Sequence, residues 1–263
     1  MIANFFQSLS RHGVEYLLIS GQATVLYGAA TFSEDIDLWV NFEAENLARF
    51  RAALRESRAQ YYKLTPPMEP EYCGRGHGFH FVLPGRDEGD VFLDVMGQPP
   101  RVASFATAQA TSRQMETEWG IVPTIGIKPL VELKKTQRLE DYPIISKLAL
   151  AWFAQPECPG NEADLRWALD NIFTLPELRM FFSEHPEAID LSPGNLPAEL
   201  FAFGRELLAS GEVPEAIERT ISRQSQESIV LLQEADRRYW REIIAALKQL
   251  RSDGKLMPEG GEV

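Results

Sequence analysis

The sequence predicts an α/β protein: a small mixed sheet with helices on one side, followed by an all-helical region from about residue 142. Three observations carry this expectation. Short apolar runs of strand length alternate with segments of helical periodicity through the first half. Residues 78–83 and 90–96 read as a hairpin across a turn-rich link, 84–89. From Tyr142 onward the apolar positions follow helical spacing. The expected division is a core over residues 1–141, a helical domain over 142–252 and a disordered tail over 253–263.

The chain opens on an amphipathic helix with Ile2, Phe5, Phe6 and Leu9 on one face, ended by Gly13. Residues 16–19 suit a short buried strand. Ser20-Gly21 breaks it, where a residue without a side chain lets the backbone turn and approach a ligand. Residues 23–27 are helix-compatible and Gly28 is placed to end that helix. Residues 33–40 follow as a strand. Alternation puts Asp35 and Asp37 on one face, Ile36 and Leu38 on the other. Two neighbouring carboxylates repel each other and are costly to desolvate. A divalent cation between them removes that cost, and hard oxygen ligands suit Mg²⁺.

Residues 43–57 form a helix with Leu47, Phe50 and Leu54 inward, and 61–75 read as irregular. Asp94 sits between apolar strand neighbours, where a buried carboxylate needs a partner; Asp90, at the strand entrance, is its rival as a third acid. His77 and His80 read as structural or substrate-edge residues, because residues three apart on an extended segment face opposite sides. Residues 106–116 read as helical or mixed, and 121–127 as a β-rich segment whose Pro123 suggests a sheet edge. In the next segment Pro129 favours a helix start, and Lys134, Arg138 and Asp141 fall on one helical face. An Arg138–Asp141 surface pair explains that face as well as ligand binding does.

The order of Ser20-Gly21 turn, short helix and Asp35-x-Asp37 strand resembles the nucleotidyltransferase superfamily that includes DNA polymerase β. Within it, residues 13–150 look most like the minimal bacterial group containing the AbiE-type (AbiEii) abortive-infection toxins. The resemblance implies a catalytic triad of Asp35, Asp37 and Asp94 holding two Mg²⁺ ions. It also implies that Ser20, Gly21 and Lys134 or Arg138 contact a nucleoside triphosphate. The implied activity is transfer of NMP from an NTP to a protein or RNA hydroxyl, in a toxin–antitoxin or phage-defence setting with an antitoxin partner. Related AbiE-type sequences carry an Arg between the helix-ending Gly and the acid pair, and a Thr where Ser33 stands. Thr31 occupies the Arg position and cannot supply its charge-assisted phosphate bonds. That departure supports the alternative, a catalytically weak nucleotidyltransferase-fold binding module acting through a protein partner.

In the second half, Asn161 caps a helix running to Asn171, and Thr174 precedes another that ends near His185. Residues 197–210 are helical, and 214–251 read as one or two long helices with a break near Gln224. Basic residues Arg237, Arg238, Arg241, Lys248 and Arg251 are interleaved with acids, as on a solvated face. The formal net charge of −12 argues against an extended nucleic-acid grip, which needs a basic surface. With 44% hydrophobic and 24% charged residues the composition is that of a globular chain. No apolar run approaches the ~20 residues of a membrane span, and neither a signal peptide nor a cysteine-based metal spacing is evident. The expectation is a cytoplasmic protein with its two thiols, Cys73 and Cys158, reduced.

Overall fold

A computed structural model of the chain describes residues 2–85 and 89–263. It divides into two compact units: Met1–Leu26, Ala30–Leu133 and Arg238–Val263 in the first, Tyr27–Ala29 and Lys134–Arg237 in the second. The division falls at residue 133/134, where the sequence placed it at 141/142.

The first unit is built on a seven-stranded mixed sheet of order β3-β4-β5-β2-β1-β7-β6. The strands are β1 (Tyr16–Leu18), β2 (Ile36–Val40), β3 (Gln60–Tyr61), β4 (Gly78–Leu83), β5 (Val91–Met96), β6 (Arg113–Thr117) and β7 (Gly120–Thr124). β2 pairs parallel with β5 and antiparallel with β1. β4 and β5 form the expected antiparallel pair; residues 86–88 of the turn read between them lie outside the described residues. Alternation sends Ile36, Leu38, Leu93, Val95, Phe79 and Phe81 into one core with Phe5, Phe6 and Leu9 of α1 (Ile2–Arg11) and Leu47, Phe50 and Leu54 of α3 (Ala44–Glu56). Ser8 donates to Glu56 at 2.7 Å and further ties α1 to α3.

Helices cover the other face too, contrary to the one-sided expectation. Trp39 alternates away from the main core, meets Phe105 of α5 (Phe105–Ala110) edge-on at 5.6 Å and donates to the Gly97 carbonyl at 2.8 Å. Within 61–75, read as irregular, lies α4 (Pro70–Gly74), started by a proline. Pro123 does not mark an edge, since β7 lies between β1 and β6. Pairing with β1 begins only at Thr124, so the missing N–H costs no ladder bond there.

The tail read as disordered is hydrogen-bonded to β3. The Tyr61 N–H donates to Gly261 O at 2.9 Å, Gly260 N–H to Tyr61 O at 2.8 Å and Met257 N–H to Thr65 O at 2.8 Å. An isolated bridge joins Gln60 to Glu262, and Met257 and Val263 pack on the core. An edge strand offers unpaired backbone groups, and two apolar side chains add burial that the polar composition obscured.

In the second unit, α7 (Asp141–Ala151), α8 (Glu162–Asn171), α9 (Leu175–Glu184) and α10 (Ala198–Ser210) surround a core of Leu165, Leu169, Phe181, Phe182 and Phe203. Asn161 and Asp164 form a full capping box on α8. Gly204 sits inside α10 because a Cβ there would lie 2.7 Å from the Phe182 ring. The final helix, α11, runs unbroken through Glu215–Ser252 with no Gly or Pro to stop it at Gln224. Among the described residues no helix is long and apolar enough to cross a membrane.

His77 is 1% exposed and its Nδ1 has no hydrogen-bond partner. Burial first, and the Arg75 cation second, hold its imidazole below the usual range. A depressed folded value means that the unfolded chain binds the proton more readily. Stability is therefore full above the unfolded value of about 6.5 and falls as pH drops from there toward the depressed folded one. Urea midpoints measured from pH 8 to 5 should show this decline, and His77→Phe, which keeps a ring beside Tyr72, should flatten it; an unchanged profile would reject His77 as its source.

Candidate functional site

The centre of the sheet brings one pair of predicted acids together. β2 and β5 run parallel with Asp37 opposite Asp94, so both side chains leave the same face, the one opposite Ile36 and Leu38. β4 places His80 opposite Asp94, and the His80 ring nitrogen Nδ1 lies 2.7 Å from Asp94 Oδ1. His80, Asp94 and Asp37 thus form a row across three adjacent strands. The His80 and Asp94 side chains are 28% and 36% exposed, open enough for a ligand to reach. Asp35 stands apart: β2 begins at Ile36, and Asp35 is an exposed bend residue before it. The alternation argument for Asp35 and Asp37 rested on a strand over 33–40, and β2 begins three residues later. Asp90 is exposed and its Oδ1 accepts from the Gly85 N–H at 3.1 Å, a turn role that leaves Asp94 as the strand acid.

The Ser20-Gly21 turn is the first turn of α2 (Ser20–Leu26). Ser20 has φ 57°, a strained value for a residue with a side chain. Ser33 comes back against this turn. Gln22 Nε2 donates to the Ser33 carbonyl at 2.7 Å, and the Ser33 side chain occupies the space beside Gly21. A Cβ at Gly21 would lie 2.2 Å from Ser33 Oγ. Gly21→Ala should therefore displace the loop and cost about 1–3 kcal/mol of stability. Gly21→Ala/Ser33→Gly should recover most of it, as read by thermal melts; no recovery would place the clash elsewhere.

Lys134 and Arg138 meet a different partner. α6 (Ile127–Lys134) ends at Lys134, and residues 135–140 are not helical, so the continuous face expected from their spacing is absent. The Lys134 ammonium instead lies 2.9 Å from Asp141 Oδ1, with the two side chains 8% and 3% exposed. Thr136 Oγ1 and Arg138 Nε donate to Asp141 Oδ2 at 2.6 and 3.2 Å. Lys134 is thereby a buried ion-pair partner and not a solvent-facing cation; Arg138, 61% exposed, pairs as the surface reading expected.

Sequence reasoning missed two features of the site. The His80–Asp94 contact follows from hairpin register: Leu83 opposite Val91 puts residue 80 opposite 94. The packing of Ser33 on Gly21 has no sequence signal. Cys73 adds nothing to the chemistry, since burial pushes its thiol up to about 12. Among the described residues no group of three or more His, Cys, Asp or Glu side chains is placed to hold a metal ion.

No family model matches the chain, and no curated protein matches it. Among solved structures it is similar to the crystal structure of ANT(2″)-Ia in complex with adenylyl-2″-tobramycin. The identity is 15% and the TM-score 0.34, over 79% of this chain and 97% of that one. A likeness at that score assigns neither a family nor an activity.

Proposed function

We propose that the chain is a nucleotidyltransferase, moving an NMP from a nucleoside triphosphate to a hydroxyl. The observation that carries this reading is the Asp37–Asp94 register at the centre of the sheet. Two carboxylates in register, partly open to solvent, are stabilised by a hard cation and by a substrate that brings one. Two carboxylate donors side by side on one face suit a hard cation, and Asp37 and Asp94 would hold a single Mg²⁺. Asp35 lies outside the strand that carries Asp37, so the proposal places one ion on Asp37 and Asp94 and assigns Asp35 no ligand role. When bound, the cation supplies neutralisation of phosphate charge.

The chain's own residues supply the rest. Ser20 and the Gly21 N–H would meet the triphosphate, and Gly21 lets the backbone come close. His80 fixes the Asp94 carboxylate through one oxygen and leaves the other for the cation or for the acceptor's proton. In the reaction the acceptor oxygen bonds to the α-phosphorus, the bond to the β-phosphate oxygen breaks, and pyrophosphate leaves. A protein or RNA hydroxyl as acceptor, a toxin role and an antitoxin partner rest on the AbiE-type resemblance of the sequence alone.

The second reading, a binding module of this fold without turnover, is favoured by two observations: Thr31 in place of the Arg, and the absence of a three-ligand group among the described residues. Calorimetric titration of each nucleoside triphosphate with and without Mg²⁺ tests both. Metal-dependent binding is the expected outcome. Absence of binding by every triphosphate would remove the transferase reading.

A further inference from the structure

Phe32 is the most exposed large apolar side chain among the described residues, at 73%. Its ring meets no other ring among those residues. An exposed phenylalanine is ordinary on a loose loop, but this loop is held. Ser33, the next residue, is bonded through its carbonyl to Gln22 and packs its side chain against Gly21. The Phe32 Cα is thus one peptide, about 3.8 Å, from a residue in contact with the proposed triphosphate turn. Around it stand Thr31, Glu34 and Asp35, all exposed and none cationic. A nucleotide bound there gains no charge-assisted bond from this loop, so the loop's contribution must be uncharged.

We propose that Phe32 is the platform on which the base of the nucleoside triphosphate stacks. The inference rests on the nucleotidyltransferase reading and adds how the base is selected. Every base presents a π-face, so stacking tolerates all four and favours the larger purines. The Ser33 contacts hold the backbone that carries the ring, so less loop freedom is lost when a base covers it. The site should therefore select by ring size and not by hydrogen-bond pattern.

The test compares ATP, CTP and inorganic tripolyphosphate, each with Mg²⁺, on wild type, Phe32→Ala and Phe32→Trp. Wild type should bind ATP more tightly than CTP. Phe32→Ala should weaken ATP about tenfold, the scale of one base–aromatic stack, erase the ATP preference and leave tripolyphosphate unchanged. Phe32→Trp should restore ATP binding and show indole fluorescence quenching by ATP beyond that of wild type. Equal ATP affinity in wild type and Phe32→Ala would overturn the platform while leaving the transferase reading intact. Equal weakening of ATP and tripolyphosphate would also overturn it, by showing that the loop had moved. Failure of wild type to bind either ligand would overturn both.

Discussion

Asp37→Asn and Asp94→Asn should each reduce Mg²⁺-dependent triphosphate binding by about a hundredfold or more. Changing an outer partner of a metal ligand already costs 10–100-fold, and these two side chains are the proposed ligands themselves. Neither change should unfold the protein. An Asn at 94 can still accept from His80, and losing one of two like charges in register should leave stability equal or slightly raised. Asp35→Asn should be much milder, because Asp35 lies outside the strand. Calorimetry with and without Mg²⁺, alongside melting curves, separates the three variants. Equal losses at 35 and 37 would restore the acid pair as the sequence spacing drew it. Full binding by Asp37→Asn would remove the proposed site.

Asp141→Ala should be the most destabilising single change, at about 3–5 kcal/mol. It strands the buried Lys134 ammonium and removes the acceptor used by Thr136 and Arg138. Replacing both ends, as in Lys134→Met/Asp141→Leu, should cost far less, because no uncompensated charge remains. Urea unfolding followed by tryptophan fluorescence would measure both. A loss of under about 1 kcal/mol for the single variant would mean that the pair is solvated, and that Lys134 is free for another role.

The α/β class, the β4–β5 hairpin and the helices of the second unit were legible because each rests on local periodicity or capping. Asn161 and Asp164 announce α8 within four residues through their own capping box. The site was legible only in part. Asp37 and Asp94 were identified as acids on strands, yet their adjacency depends on a parallel pairing between strands that are separated by fifty residues, 41–90. Asp35 was expected within the strand and lies just before it, because strand ends shift by one or two residues and a two-residue period makes that decide whether a side chain belongs to the face. Lys134 was expected beside Arg138 on an exposed helical face, open to a triphosphate or to solvent, because a helix was extended past its end. The segment 135–140 holds no Gly or Pro to signal the stop. The C-terminal pairing on β3 escaped notice because edge-strand partners are chosen by open backbone groups, which every residue carries.

The division of the chain has a consequence for biosynthesis. The second unit is almost continuous in sequence, whereas the first needs residues Arg238–Val263 to complete the edge at β3. During translation the helical unit can close while β3, already paired with β4, still lacks the C-terminal segment on its other side. The sheet-bearing unit would wait with an exposed edge until more than one hundred further residues had emerged. Non-local pairing of this kind slows folding, and an unpaired edge is where nascent chains associate. Yield of soluble protein should therefore depend on growth temperature and chaperone supply more than the stability of the finished fold would suggest.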